Sequence, residues 1–499
     1  MKKLLSLTLV LALALSVFSF TAASAETKDT LVVVPYTRTE NMDPYTSFDM
    51  DKIVSRQLFN SLWRYDENGV GTACLAESWE ETDDGHSITC YLRKDVTFSD
   101  GAPFTADDVV FTYEVAAASP TMGYTTTTVI SKVEKIDDYT VKLWKYAPFS
   151  SVEEFCVEYL PIVSKSSYGS EDFATNPIGT GAYVLERYDA ATNYVYLTAR
   201  DDYFEGTPAI KHVEVRVPLE SAVSLVALEN GEVDLVGPSI SRDDAAIAES
   251  EGFVVENGTG WGAETMLLFG EPYTSDQNLR LAICHAINRE NAALYMGVMD
   301  GIAIQDYYAA KLAGDYAGTM QALQYDPEKA AEYLAASNYN GETLVINVDS
   351  TYANMATSAQ ADLAAIGIKT EINQIDINTW SDLIMNGTLG ISFSNYGVAY
   401  ASPNEMMGYF ANNGYYQALG NTTSTDELDA ELNACATAWD ADELREHTIK
   451  AMELSRDLGY VCPLYESSMP FVHTASLQGC QSVWAGTYNY YFWMCSFAE

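Results

Sequence analysis

Five histidines stand at positions 86, 212, 285, 447 and 473, and eight cysteines at 74, 90, 156, 284, 435, 462, 480 and 495. Chemistry with these residue types needs close spacing: two His one helical turn apart for zinc, a Cys-x-x-Cys pair for zinc or redox work, a nucleophile beside a base for acyl transfer. None of these spacings occurs. A Gly-x-Ser-x-Gly elbow, a phosphate-cradling loop and a dinucleotide fingerprint are also missing. Seventy Asp and Glu make any single acidic pair uninformative as a general acid and base. The rival enzyme class, a secreted hydrolase, therefore has no constellation to support it, and nothing calls for a cofactor or a metal. What the chain holds in quantity is rings: 34 Tyr, 18 Phe and 8 Trp, 12% of its residues. Aromatic faces stack on sugar rings, and Tyr hydroxyls bond to sugar hydroxyls or peptide amides, which is the chemistry of non-covalent capture. Most of these rings must nevertheless serve as core or surface.

The ends and the charge set where such capture would happen. Lys2 and Lys3, an apolar stretch from Leu4 to about Phe20, and Ala23-Ser24-Ala25 form the basic start, apolar middle and cleavage site of a secretory signal peptide, so residues 1–25 are expected to be removed. The first cysteine, Cys74, lies too far on to carry a lipid at the new N-terminus. No later apolar run approaches the ~20 residues that cross a bilayer, so the mature chain is expected to be water-soluble. The 474 residues after Ala25 suit two or three domains. Loss of Lys2 and Lys3 takes the formal net charge from −43 to −45, a field that repels phosphate backbones and anionic lipid. Nucleic acid and membrane surfaces are thus excluded as partners. Export would permit disulfides, but the sequence does not give their pairing; most of the cysteines are expected as buried thiols, with one or two bridges.

The elements that must position a site alternate between strand and helix. Asp29 to Pro35 is a β-branched run read as a buried strand. Residues 51–65, with Ile53, Leu58, Phe59 and Leu62 at helical spacing, predict an amphipathic helix. Asp-Gly pairs at 84–85 and 100–101 predict tight turns between short strands. Thr105 is placed to cap a helix, with Asp107 and Asp108 in its first turn. Ser221 to Glu229 is read as a helix closed by Gly231, followed by a strand at 233–236. Leu279 to Glu290 and Pro327 to Ala335 are expected as helices. Thr343 to Val348, Met355 to Ile366 with Gly367, and Ile368 to Ile375 form a β-α-β unit, hence a parallel pair. Two such regions argue for two α/β lobes, and ligands of these sheets bind in the crevice facing the strand ends.

The stretch from 76 to 114 closely resembles the signature of the family-five extracellular solute-binding proteins, the dipeptide and oligopeptide receptors of ATP-driven (ABC) importers. Its residues are Ala76-Glu77-Ser78-Trp79, Asp84-Gly85, Phe98-Ser99-Asp100-Gly101 and Thr105-Ala106-Asp107-Asp108-Val109. Further matches follow in order at Asn176 to Tyr183, Gly231 to Asp234, Leu279 to Ala282, Ala286 to Glu290, Tyr325 to Ala330 and Ile366 to Ile368.

The resemblance implies an α/β fold that is two-lobed, periplasmic-binding-protein-like (type II, cluster C), hinged by two crossing strands, with an extra inserted subdomain in lobe one. Mapped here, lobe one is 26–50, 171–268 and 474–499, the insert is 51–170 and lobe two is 269–473. It further implies a monomer that delivers a peptide-like solute to ABC transporter permease subunits, and it makes Trp79, Asp100, Gly101 and Asp108 structural. The ligand-binding residues it implies are Tyr36, Arg38, Trp261, Glu264, Tyr396 and Tyr400. The segment 395–403 departs from the pattern: where peptide-binding relatives carry acids, one of which receives the α-ammonium, this chain has Ala399 and Ser402. Burying an ammonium without a carboxylate costs several kcal/mol, so either another acid such as Glu264 substitutes or the ligand is an oligosaccharide or other non-peptide solute. A sensory descendant that hands its ligand to a receptor is the third reading.

Overall fold

The computed structural model describes residues 28–36, 38–39, 41–46, 53–66, 70–170, 173–237, 240–297, 316–396, 403–412, 414–480, 482–484 and 488–498. The expected signal peptide and Tyr400 lie outside them.

In chain order the strands are β1 (Thr30–Val34), β2 (Trp63–Tyr65), β3 (Gly71–Ala73), β4 (Ala76–Glu81), β5 (Ser87–Leu92), β6 (Ile130–Asp137), β7 (Thr140–Lys145), β8 (Tyr183–Asp189), β9 (Tyr194–Ala199) and β10 (His212–Val215). They continue as β11 (Leu235–Val236), β12 (Val254–Phe269), β13 (Thr343–Val348), β14 (Lys369–Gln374), β15 (Gly390–Tyr396), β16 (Val461–His473), β17 (Leu477–Gln478), β18 (Ser482–Trp484), β19 (Tyr488–Tyr490) and β20 (Ser496–Phe497). Ten of them form one sheet in the order β14-β13-β15-β12-β16-β11-β1-β10-β9-β8. β12 has 16 residues and β16 has 13, too long for one lobe, and their neighbours change along their length. β11 meets β16 at its end alone, through Leu235↔His473 and Val236↔Val472. β15 meets β12 along its second part alone, from Ala263↔Tyr396 to Phe269↔Gly390. The sheet is therefore two sheets joined by two strands.

Each side of this junction has its own core, built by the two-residue period of the strands. Met266 and Leu268 of β12 enter one buried cluster with Ile346, Phe393 and Ile283, while Leu267 and Phe269 enter another with Met407, Phe410 and Met452. In the other lobe Val33 and Phe471 join the cluster of Leu197, Val213 and Phe492, whereas Val34 and Val472 join Leu228 and Val236. Both faces of both half-sheets are thus covered. The β-α-β reading holds: β13 and β14 are parallel, Ala353–Ala365 is the helix between them, and Gly367 has φ 92°.

A separate antiparallel sheet, β4-β5-β7-β6, carries the helix Ala106–Ala118, whose N-terminus is a capping box between Thr105 and Asp108. Its apolar residues merge with the first-lobe core. Gly85 and Gly101 take φ of 70° and 85°, as their Asp-Gly turns require.

Two sequence expectations are corrected. Among the described residues of the 51–65 stretch only Ser55–Leu58 is helical, and Trp63–Tyr65 is a strand paired with Gly71–Ala73. The chain at 57–58 is held instead by a neighbouring backbone: Gly181 N–H donates to the Leu58 carbonyl at 2.9 Å, and a side chain at Gly181 would meet the Gln57 oxygen at 2.2 Å. The predicted helix 279–290 is two helices, Gln277–Ala286 and Arg289–Tyr295, because the Asn288 side chain accepts from Asn291 N–H and starts the second. All eight cysteines are buried free thiols.

Candidate ligand site at the strand crossing

Where β12 and β16 pass between lobes their pairing slips. Thr259 opposes Ser468 and Ala263 opposes Glu466, so three residues on β12 face one on β16. That stretch alternates Gly258, Gly260 and Gly262, leaving one side of the ribbon without side chains. A second slip lies at Glu264, which opposes Tyr465 while Thr265 opposes Pro463. Pro463 and Pro470 withhold two N–H donors from the ladder on either side of the crossing. Bulges of this kind re-aim side chains beside sites.

Glu264 is the side chain so aimed. It is 7% exposed, takes a hydrogen bond from the Tyr352 hydroxyl at 2.8 Å and one from the Asn395 amide at 3.3 Å. Burial raises its carboxyl above the usual carboxylate range, opposed by those two bonds and by the Arg242 guanidinium. The Tyr352 phenol is pushed well up by burial and then by the Glu264 charge. Burial lowers Arg242, against the pull of Tyr465 and Glu264. Arg242 opens the helix Arg242–Ser250 of the first lobe, and its Cδ lies 3.9 Å from where a side chain on Gly297 of the second lobe would begin. A buried carboxylate with two of its lone pairs engaged, flanked by phenols and a guanidinium, can accept from a cationic or N–H donor.

Of the other expected site residues, Tyr36 and Arg38 follow β1 and are exposed. Trp261 lies in β12 within the slip, and Tyr396 ends β15 opposite Ala263. Glu264 is thus joined by Asn395, the neighbour of Tyr396, and lies three residues after Trp261 on β12, while Tyr36 and Arg38 follow β1 on the other side of the crossing. Sequence reasoning did not single out Tyr352, Arg242 or Tyr465, whose approach to Glu264 is set by pairing across long separations.

A second bridge joins the lobes far from the crossing. The β4–β5 turn places His86 on Trp439, between the helices Asp426–Cys435 and Ala441–Leu458, with ring centroids 3.7 Å apart and planes at 14°. Gly85 at the tip takes φ 70° and lies beside the Trp439 ring, at ordinary contact distance from it.

The signature residues work as scaffold. Trp79 meets Trp63 edge-on at 5.6 Å. Asp108 accepts from the Thr105 and Lys165 N–H groups at 3.0 Å each. The buried Arg200 guanidinium donates to the carbonyls of Thr97, Phe98, Gly179 and Gly181, fastening the 98–101 turn to the Asn176–Tyr183 motif. A small, partly open pocket of about 20 Å³ beside Arg56, Trp63 and Arg64 has room for one water and is lined by none of the crossing residues.

The histidines are engaged structurally. His285 is buried with Nδ1 2.7 Å from the Gln324 carbonyl, and burial lowers its pKa. His447 faces Glu431 at 2.6 Å. Among the described residues no group of three or more His, Cys, Asp or Glu could hold a metal, and no helix is long and apolar enough to cross a membrane.

The sequence pattern of the bacterial extracellular solute-binding proteins, family 5 (middle), matches residues 72–417. A candidate ABC-transporter peptide-binding protein of Brucella ovis is 31% identical over 356 residues, 65% of this chain, and the chain spans 64% of its length. The di/tripeptide-binding protein 2 of Pseudomonas aeruginosa is 27% identical over 418 residues, 75% of this chain and 76% of that protein. An ABC transporter-associated periplasmic binding protein of Helicobacter pylori, solved with the peptide STSA, superposes with a TM-score of 0.78 at 21% identity over 95% of this chain and 99% of that one. The fold is accordingly α/β, two-lobed and of the periplasmic-binding-protein-like type II.

Proposed function

We propose, from the premise that the chain belongs to the bacterial extracellular solute-binding proteins, family 5, that it is the exported substrate-binding component of an ABC importer and captures a peptide between its lobes. The ligand is held without breaking a bond and is passed to permease subunits in the membrane. The protein works in the periplasm or outside the cell, associated with the envelope through that transporter.

The observation that carries this reading is the crossing itself: two lobes with separate cores, joined by β12 and β16 at a point where the ladder is loosened. On this reading residues 26–50, 171–268 and 474–499 form lobe one, 51–170 its insert and 269–473 lobe two, except that the strand halves past the slip, Ala263–Leu268 of β12 and Ser468–His473 of β16, pack with the opposite lobe. Tyr36, Arg38, Trp261, Glu264, Tyr396 and Tyr400 face the ligand. Glu264 supplies the carboxylate for a peptide's α-ammonium that Ala399 and Ser402 do not. Its burial and its two donors support that role, because a desolvated carboxylate binds a cation more strongly than a hydrated one. Ligand contacting both lobes shifts an open–closed equilibrium toward closure.

The test is gentle purification, denaturation and mass spectrometry of the released small molecule, followed by scattering with and without it. A peptide that compacts the protein is expected. An oligosaccharide, or no compaction with any peptide pool, overturns the reading.

A further inference from the structure

Cys480 and Cys495 are 4% and 2% exposed, and the chain brings them together at the base of one loop. β17 and β20 pair antiparallel, Leu477↔Phe497 and Gln478↔Ser496, so the same register continued sets Gly479 against Cys495. Gly479, with φ 70°, permits an unusually close approach: a side chain there would meet the Met494 carbonyl oxygen at 2.5 Å and the Cys495 Cα at 3.7 Å. The Cys495 Sγ lies 3.6 Å from the Gly479 carbonyl oxygen, on the peptide that leads into Cys480. The Cys480 thiol is pushed well above its usual pKa first by a hydrogen bond with the Cys495 thiol and then by burial. The Cys495 thiol thus lies against the peptide that leads into Cys480, and the left-handed Gly479 breaks the strand's alternation between the two, the proximity from which a disulfide can close. Cys284 and Cys462 also bond thiol to thiol, but from a helix and a strand rather than across a ladder.

We propose that Cys480 and Cys495 form a disulfide when the chain meets a disulfide oxidant outside the cytoplasm. One thiol, as its thiolate, attacks the oxidant's S–S bond and releases one oxidant thiol. The second then displaces the other, leaving Cys480 Sγ bonded to Cys495 Sγ. Two electrons pass from the two cysteine sulfurs to the oxidant, and the two protons end on the two thiols it releases.

The bridge closes the loop that carries the β18–β19 hairpin, which packs on the crossing strand β12. That loop is already gripped near its end, where Gln57 donates to the Tyr490 carbonyl at 2.7 Å and accepts from Phe492 N–H at 3.2 Å. Oxidation would fix both ends of a segment already clamped beside the hinge.

The site of oxidation rests on the export reading, but the pairing does not, so it is tested on the purified full chain in glutathione buffers of defined ratio. Free thiols are alkylated, and unreduced peptides are mapped by mass spectrometry. Expected is a linked 480–495 peptide at oxidising ratios and a melting temperature about 5 °C above the reduced form. The rise should vanish in Cys495→Ser, and the map of the unmodified sequence stands even if that variant folds poorly. Alkyl label on both cysteines at every ratio, or either one linked elsewhere, overturns the proposal. Failure of leader cleavage in cells would count against export and leave the map unaffected.

Discussion

Removing one ring from the His86–Trp439 stack should weaken ligand binding without unfolding either lobe. The rings lie 3.7 Å apart and within 14° of parallel, close to full face contact, and they come from opposite lobes. A stacked pair contributes about 1 kcal/mol beyond its buried area. If the contact exists only in the closed form, its loss lowers the closed-to-open ratio by about fivefold, since RT is about 0.6 kcal/mol, and Kd for a ligand that needs closure rises by the same factor. Both rings are only half-buried, so the melting temperature should move by no more than about 1 °C. Calorimetric titration of His86→Ala, Trp439→Ala and the double variant with the peptide recovered from the protein measures this directly. Each single change should cost about fivefold and the double no more than either, because the second removal finds no partner left. Unchanged Kd in both singles, or a double variant equal to the product of the two, would refute the reasoning.

Three further outcomes follow from particular residues. Glu264→Gln should weaken a peptide with a free N-terminus by about tenfold or more and leave its N-acetylated form unaffected, as titration would show. The same change alters the pH response. The folded-state pKa of Glu264 is raised by burial, so its ionised form costs stability above that pKa, and the cost is relieved as pH falls toward the unfolded value. The native protein should therefore gain on Glu264→Gln between pH 7 and pH 5, read as the difference of melting temperatures. Thr105→Ala breaks the capping box and should cost about 1 kcal/mol in denaturant unfolding with Kd unchanged. Gly181→Ala forces a methyl to 2.2 Å from the Gln57 oxygen, which is backbone and cannot swing away, and should abolish accumulation of folded protein.

What the sequence made legible is what local rules decide. The capping box at Thr105, the Asp-Gly turns and the β13–helix–β14 unit each depend on residues within a dozen positions of one another. The apolar spacing of 51–65 fits a helix equally well; its end is extended by pairing with Gly71–Ala73, and its middle is held by a segment 120 positions on, where the Thr180 hydroxyl accepts from Asn60 N–H. The 16-residue length of β12 was hidden for a related reason: Gly258, Gly260 and Gly262 signal a break, and only β16 alongside keeps the strand continuous. Glu264 was picked out, but Tyr352, 88 positions away, was not, since no spacing rule links a strand residue to a helix start in another unit.

The loosened crossing and the sparse outer contacts serve one requirement. A binding protein that closes on its guest must keep its two forms within a few kcal/mol, or the ligand's differential affinity could not move the balance. Three β12 residues facing one on β16, with Pro463 and Pro470 lacking donors, give the crossing few hydrogen bonds to distort when the lobes turn. The ladder on either side, from Val254↔His473 and from Ala263↔Glu466, keeps each half rigid. Across the gap the described residues meet in a ring stack and in the approach of Arg242 to Gly297 and Glu264, individual contacts rather than an apolar cluster that spans both lobes. A larger seam would hold the empty protein shut, and a dense crossing would hold it in one posture. On the proposed reading, the glycine run that obscures the strand in the sequence is the feature about which the lobes turn.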